Sequence, residues 1–266
     1  MTPNVEFFAA EPLDAQGISD FLHKFGGSWG EVAVLATVDS TNTELARAIS
    51  VVQPGVARIV IAEEQTEGLG RLGRKWSSSY GKGIALSIGV AVSDIQQELS
   101  ALPLIVGLAV SRALESVGVR ANLKWPNDVI FENTDGSVRK CGGILVQRVD
   151  HALVIGIGIN VTHQSDELPT EIATSLILEG YRVSRNELAA QIINEVERAL
   201  LAPSSWIEDY EEKCSSIGRD VIVHQISSEQ LIGKAISVLP SGALILATDG
   251  AEVEVTIGDV EHATIS

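Results

Sequence analysis

Positive charge is scarce in this sequence: 19 Lys+Arg stand against 35 Asp+Glu in 266 residues, for a formal net charge of −16. A surface that acidic repels phosphate backbones and argues against general nucleic-acid binding. Only two cysteines occur, Cys141 and Cys214, too few for a disulfide framework, so reduced thiols and a cytoplasmic location are the expectation. No run of about 18 uncharged apolar residues is present, and no membrane partner is expected. Residues 1–12 carry Glu6 and no basic stretch, which argues against a signal peptide. The five histidines (His23, His151, His163, His224 and His262) lack metal-ligand spacing, so no metal site built from protein ligands is expected.

What the chain does have is apolar residues, 45% of the total, enough for one substantial core and a small second domain. Residues 14–25 put Leu13, Ile18, Phe21, Leu22 and Phe25 on one helical face. A strand is expected over 32–38, and Thr41 with Glu44 reads as a capping box opening a helix through Ile49. Residues 56–64 and 84–92 read as strands either side of a glycine-rich loop, the second apolar enough to lie centrally in a sheet. A buried helix over 103–117 follows, then strands over 121–125, 128–131, 141–149 and 152–160, with an acidic turn over 132–137. Ser184 with Glu187 is a second capping box, starting a helix to about Leu201. Pro203 marks the start of another, amphipathic to Ser216. Beyond Gly218 the texture changes to short strands over 220–225, 231–239, 242–248 and 251–257, with Ser241-Gly242 and Asp249-Gly250 as hairpin turns. The expected division is a main domain over 1–217 and a barrel-like domain over 218–266. The second is near the size where its own core is marginal, so it should pack on the first.

The acidity breaks in one place. Arg71, Arg74, Lys75 and Lys82 fall within residues 71–82, where composition alone gives about 0.9 cations. Gly68, Gly70, Gly73, Gly81 and Gly83 cluster there too. An anion site is the functional reading, an exposed basic turn the alternative. Gly68-Leu69-Gly70-Arg71-Leu72-Gly73 fits the dinucleotide pattern G-x-G-x-x-G, with Asp94 about twenty residues on. That fold needs a helix opening at the third glycine, and RKWSSSYGKG cannot supply it. A P-loop fails as well, because Arg74-Lys75-Trp76 stands where Lys-Ser/Thr is required. What is left is a mobile arginine–glycine loop folding over an anion. Arginine forks match phosphate and carboxylate oxygens, and glycine permits close backbone approach.

Five motifs in order then carry a resemblance. They are Ser40-Thr41-Asn42 at the start of a helix, the loop from Gly68 to Trp76, Lys124-Trp125-Pro126-Asn127-Asp128, Lys140-Cys141-Gly142-Gly143-Ile144-Leu145, and Gly156-Ile157-Gly158-Ile159-Asn160 closing a strand. Over nearly its whole length the sequence resembles the biotin protein ligases. The resemblance implies an α/β (α+β) fold, a central mixed β-sheet flanked by helices as in class II aminoacyl-tRNA synthetases, with an SH3-like barrel at the C-terminus. It implies an enzyme using ATP and Mg²⁺ to make biotinyl-5′-AMP and pyrophosphate. Biotin then passes to a lysine on a biotin carboxyl carrier domain. A homodimer is left open. Three positions depart from the family pattern: Leu69 for the first loop arginine, Glu67 for a small residue and Gln147 for a glutamate. One charge-assisted contact is worth about 1.5–3 kcal/mol, so Leu69 implies weaker retention of the intermediate.

The implied chemistry brings a carboxylate to a triphosphate, and cations must offset their repulsion. Arg71, Arg74 and Lys140 are the candidates, with Lys140 beside the carboxylate and α-phosphate; read from position alone, Lys140 is a solvated residue ending a turn. For the ureido ring the resemblance implies Ser40, Thr41, Asn42 and Gln65, with backbone from Leu69, Gly70 and Arg71. Helix capping explains Ser40 to Asn42 equally well. Trp76 is either a wall for adenine or a core tryptophan. Asn127 and Asn160 either bond near the nucleotide or are turn and strand-end residues. Asp128 has three readings: holding Mg²⁺, orienting a lysine, or deprotonating the incoming amine, whose unperturbed pKa is about 10.4. Lys124 reads equally as Asp128's structural ion-pair partner. Cys141 as a thioester nucleophile is disfavoured, for want of a nearby histidine. Competing readings are a lipoate ligase or acyltransferase of the same fold, and a non-catalytic biotinyl-AMP sensor. Only 39 residues precede Ser40, with Lys24 their one cation, so a DNA-binding domain and a DNA partner are not expected.

Overall fold

The computed structural model of the protein describes residues 11–26, 29, 31–201, 205–225 and 230–262. Asp14 caps helix α1 (Ala15–Phe25) by accepting from the backbone N–H of Gln16 and Gly17, and Gly26 ends it at φ 74°, the left-handed conformation glycine adopts without steric cost. Strand β1 (Val32–Leu35) is shorter than the expected 32–38; Val38 makes only an isolated bridge to Gln65. Helix α2 (Thr41–Arg47), strands β2 (Arg58–Ala62) and β3 (Gly83–Ala91), and helix α3 (Leu102–Ser116) follow. Then come β4 (Asn122–Lys124), β5 (Asp128–Glu132), β6 (Val138–Val149) and β7 (Ala152–Asn160). These strands form one sheet of order β1-β2-β3-β7-β6-β5-β4. Only the β1–β2 pair is parallel, so the sheet is mixed, as expected.

Side-chain alternation gives the two faces of this sheet different work. On β3, Ile84, Leu86, Ile88 and Val90 join the main apolar core, as do Leu153, Ile155, Ile157 and Ile159 of β7. The alternate positions Ser87, Gly89, Gly156 and Gly158 face α2 and the loop after β2. Helices α3 and α4 (Arg185–Leu201) pack together against the core face, and α1 packs on α4. The stretch Leu99–Ser116 has the length and composition of a membrane span, but most of it is buried inside this fold, where it is the central core helix. A smaller cluster, Leu45, Ile49, Val52, Val60, Ala152 and Val154, seats α2 on the other face. At the start of α4, Arg185 and Glu63 form a buried ion pair of 2.7 Å. Glu63 also accepts from Leu13 N, and Arg185 donates to the carbonyl of Glu11. Both carboxylate oxygens and both terminal guanidinium nitrogens are thereby bonded, Arg185 Nε alone of the pair lacking a partner; such bonding lowers the cost of burying the charges, and residues 11–13 are tied to the sheet.

The expected capping serine of α4 is in place, Ser184 Oγ accepting from Glu187 N at 3.3 Å. Pro203 lies outside the described residues; the next helix is α5 (Trp206–Lys213). A second, antiparallel sheet of order β11-β10-β9-β8-β12 follows, made of β8 (Asp220–His224), β9 (Gln230–Val238), β10 (Leu244–Thr248), β11 (Ala251–Val255) and β12 (Asp259–His262). Gly242 and Gly250 take φ 82° and 91° at the two expected turns. Strand β12 has no counterpart among the expected elements. The small sheet does pack on the large one. Trp125, 1% exposed, donates its indole N–H to the carbonyl of Gly242 at 3.0 Å. A Cβ at Gly242 would stand 2.9 Å from Ala101 Cα, so the hairpin lies close against the chain leading into α3. Arg219 pairs with Glu132, and Ser215 N donates to the carbonyl of Leu123.

Two predictions follow from this packing. Trp125→Phe leaves the buried Gly242 carbonyl without a donor and should cost about 1–3 kcal/mol, read as a lower urea midpoint with unchanged slope; an unchanged midpoint would show that the indole bond does not hold the domains. His163 is buried, and burial pushes its imidazole down to about 4. The unfolded chain therefore takes up a proton near pH 6.5 that the folded chain refuses until about 4. Stability from this residue is present above pH 6.5 and declines as pH falls toward 4, by about 2–4 kcal/mol. His163→Phe should flatten that acid limb in pH-dependent unfolding, and an identical pH profile would refute the assignment.

Candidate active site

The residues that the resemblance implies for the site face one cavity of about 1110 Å³ on the glycine face of the large sheet, whereas Lys82 of the basic cluster lies outside it, paired with Glu167. Ser40, Thr41, Asn42, Gln65, Leu69, Gly70, Arg71, Arg74, Trp76, Asn127, Asp128, Lys140 and Asn160 all line it. The loop that closes it is a short hairpin. Gly68 accepts from Trp76 N, Arg74 accepts from Gly70 N, and Leu69 bridges Lys75. Its tip turns through Leu72 at φ 55° and Gly73 at φ 72°. Gly68 is required there, since a Cβ would lie 2.4 Å from the Trp76 carbonyl. The sequence suggests a mobile arginine–glycine loop; in the fold its two arms are joined by these backbone pairs.

At one end the polar groups of α2 turn inward. The capping box expected of Thr41 and Glu44 is not formed. Ser40 occupies the cap position without a side-chain bond, and Glu44 pairs with Arg47. Thr41 spends its hydroxyl on Gln65 Oε1 at 3.0 Å, and the same oxygen accepts from Thr41 N at 2.8 Å. Asn42, 4% exposed, is held by Ser87 and Gln147. Tertiary partners thus take these side chains away from capping. Gly156 makes room for them, because a Cβ there would lie 2.3 Å from Asn42 Oδ1.

In the middle, Trp76 lies across the sheet. A Cβ at Gly158 would meet its indole at 2.5 Å, and one at Gly143 would stand 3.6 Å away. The ring is half-buried on a glycine floor, with Lys140 Nζ 5.8 Å from its centroid, so it is not a core tryptophan. Lys140 forms an ion pair of 2.5 Å with Asp128. Lys124 sits directly opposite Asp128 across the β4–β5 pair but makes no ion pair with it; burial lowers its pKa, with Asp128 opposing. Asn127 accepts from Arg71 at 3.0 Å and donates to the carbonyl of Ile144, and Asn160 donates to that of Thr174. Both asparagines brace backbone at the cavity wall. Cys141 is fully buried and its thiol is pushed far up by desolvation, which removes it as a nucleophile.

At the other end the loop cations meet the small domain. Arg74 pairs with Asp259 at 2.6 Å, Arg71 lies 3.5 Å from the same carboxylate, and Arg71 also donates to the carbonyl of Gly258. Burial lowers the pKa of Arg71, opposed by Asp259 and Asp128. Nothing in the sequence pattern marks Asp259, Ser87 or Gln147 as partners of these motifs, since each comes from a distant strand. Among the described residues no three His, Cys, Asp or Glu side chains gather as a metal site.

Comparison with known proteins adds the descent. Residues 34–160 match the Biotin/lipoate A/B protein ligase family. The biotin–acetyl-CoA-carboxylase ligase of Mycobacterium tuberculosis is 34% identical over 265 residues, covering 94% of this chain and 96% of that protein. The chain belongs to the biotin protein ligase family. Among other members, the bifunctional ligase/repressor BirA of Escherichia coli is 31% identical, covering 93% of this chain and 78% of its own length. The biotin protein ligase of Aquifex aeolicus, solved in complex with biotin and ATP, superposes with a TM-score of 0.74 at 29% identity, over 87% of this chain and 99% of that one. The mixed sheet with a small antiparallel C-terminal sheet is thus the family architecture, as the resemblance implies.

Gly158→Ala should lift Trp76 off the floor of this biotin-ligase-family cavity. The expected result is a red shift in tryptophan emission with unchanged far-UV dichroism, absent when Gly158→Ala is made in a Trp76→Phe background. An unshifted spectrum would mean that the ring does not rest on Gly158.

Proposed function

We propose that this protein is an ATP-dependent biotin protein ligase, and the observation that carries the reading is the order of groups along this cavity. A buried amide-and-hydroxyl set stands at one end, a lysine–carboxylate pair beside a flat indole in the middle, and two arginines at the other. Biotin matches that order: its ureido group needs donors and acceptors in an enclosed site, and its carboxylate must meet the nucleotide where cations stand. Ser40, Thr41, Asn42 and Gln65, with backbone of Leu69 and Gly70, receive the ureido ring. Trp76 flanks adenine, and Asn127 and Asn160 hold the walls on which the nucleotide rests.

The carboxylate oxygen of biotin attacks the α-phosphorus of ATP. The bond from that phosphorus to the bridging oxygen breaks, and pyrophosphate leaves. Lys140 lies between the two anions and Asp128 orients it, while Arg71 and Arg74 exchange Asp259 for phosphate oxygens. The ε-amine of a lysine on a carrier domain then attacks the acyl carbon, losing a proton as AMP departs. Magnesium fits this site as a companion of the nucleotide. Asp128 or Asp259 would supply its carboxylate beside the nucleotide phosphates, since Mg²⁺ binds through one or two carboxylates plus substrate phosphates. When bound it neutralises phosphate charge. We take residues 1–217 as the catalytic domain and 218–266 as the small one, with no DNA or membrane partner.

A lipoate ligase is the rival. The dithiolane ring of lipoate has no hydrogen-bonding group to meet Asn42, Thr41 and Gln65, and a buried polar set facing an apolar ligand is left unsatisfied. That favours biotin.

ATP–pyrophosphate exchange should therefore depend on biotin, and labelled biotin should pass to a carboxyl carrier domain; exchange that ignores biotin, or prefers lipoate, would defeat the reading. Lys140→Ala should slow exchange by about 100-fold or more. Leu69→Arg restores a loop cation and should slow release of biotinyl-AMP, and an unchanged or faster off-rate would refute that role for the loop position.

A further inference from the structure

Two residues tied to the polar end of the cavity take no part in the chemistry above: Ser87, which belongs to no sequence motif, and Gln147, which departs from the family pattern. Ser87 is fully buried on β3, and Gln147 is exposed on β6. Ser87 Oγ lies 2.7 Å from Thr41 Oγ1 and 2.6 Å from Asn42 Oδ1. Asn42 Nδ2 donates to Gln147 Oε1 at 2.8 Å. Thr41 Oγ1 in turn lies 3.0 Å from Gln65 Oε1.

A serine hydroxyl has one proton, and here two oxygens compete for it. If the proton goes to Asn42, Thr41 must turn its own proton from Gln65 Oε1 to Ser87, leaving Gln65 Oε1 to the Thr41 backbone N–H; the chain then runs Thr41 to Ser87 to Asn42 Oδ1, and the Asn42 amide donates to Gln147. If it goes to Thr41, Asn42 Oδ1 faces a hydroxyl oxygen at 2.6 Å with no proton between them. The Asn42 amide must then turn over, its NH₂ toward Ser87 and its oxygen toward position 147. The orientation of an amide is settled by its partners, so this second arrangement needs a donor at 147. Glutamine supplies one by turning over itself; an ionised carboxylate cannot.

We propose that Gln147 is a positioning residue that sets, from outside the cavity, the direction of the hydrogen-bond chain through Asn42, Ser87 and Thr41, and with it the donor–acceptor pattern offered to the ureido group of biotin. An amide at 147 leaves both directions open, whereas a carboxylate admits only one. This chain therefore carries a biotin end with two hydrogen-bond isomers, of which one suits the ligand. The inference rests on the assignment of this end of the cavity to the ureido ring.

The test uses the full-length protein with Gln147→Glu and Gln147→Leu, measuring biotin Kd by calorimetry and KM for ATP by pyrophosphate exchange. Gln147→Glu should tighten biotin and Gln147→Leu weaken it, each by roughly three- to tenfold, the worth of one neutral hydrogen bond. The KM for ATP should stay within about twofold, a split that general loosening of the fold would not give. Diaminobiotin, which lacks the ureido carbonyl, should show less dependence on the residue at 147. A Gln147→Leu protein that binds biotin like the wild type, a Gln147→Glu protein that binds no tighter, or parallel changes for biotin and ATP would overturn the proposal. A wild-type protein that binds no biotin would instead overturn the functional reading beneath it.

Discussion

The alternation of side chains along β3 and β7 is the constraint on which the rest of this molecule depends. Successive residues of a strand point to opposite faces, and here one face is filled with branched aliphatics while the other is pared to glycine and serine. The first choice buries a core against α3 and α4. The second lets an indole and an asparagine lie directly on the sheet, closer than any Cβ would allow. Core and cavity are two readings of the same strands, so a slip of one residue in register would place isoleucines under the ligand and glycines in the core.

Onto that floor the fold brings cations that a chain of net charge −16 can ill spare, and it keeps three of them beside carboxylates. Lys140 rests on Asp128, and Arg71 and Arg74 on Asp259. The pairing answers a physical requirement. A guanidinium partly withdrawn from water and left without a counter-charge is costly, yet a site meant for two anionic reactants must hold its cations ready before they arrive. Carboxylates at the rim meet the first demand by neutralising the cations; in the proposed mechanism phosphate oxygens take their place. In a static pair the strength of such contacts would be a modest surface effect; at a cavity mouth they set where the incoming charge is received.

Much of this was legible in the sequence, and the unequal parts have physical reasons. The strands of the sheet and helices α1, α3 and α4 announce themselves through period-2 or helical patterning, and the glycine turns at Gly242 and Gly250 through local chemistry. The cavity residues are legible as motifs because each lies on a short contiguous stretch. What escaped is non-local. Thr41 and Glu44 have the spacing of a capping box, but Gln65 and Ser87 compete for the threonine hydroxyl from other strands, and tertiary contact wins. Asp128 faces Lys124 in sequence and in register, yet Lys140 arrives from β6 to take the carboxylate. Trp76 could not be assigned between core and cavity because the glycines that seat it, Gly143 and Gly158, are 67 and 82 residues away. Strand β12, with only four residues, is too short to show a period, and its Asp259 is the group that meets the loop.

That last contact changes what the small C-terminal sheet is. Its size alone suggests an appendage that borrows stability from its neighbour, and Trp125 does tie it down. But Trp125 belongs to the same five-residue motif as Asn127 and Asp128, so the residue that fixes the small domain and two that line the cavity share one short segment from β4 into β5. Arg71 closes the circuit from the other side, bonded at once to Asn127 and to the Gly258 carbonyl. The loop hairpin, the motif and the start of β12 thus brace one another, and any displacement of the small sheet would move both the docking tryptophan and the counter-charge of the loop. On this geometry the domain is a wall of the site, and its fold must be complete for the cations at the cavity mouth to stand where a phosphate can find them.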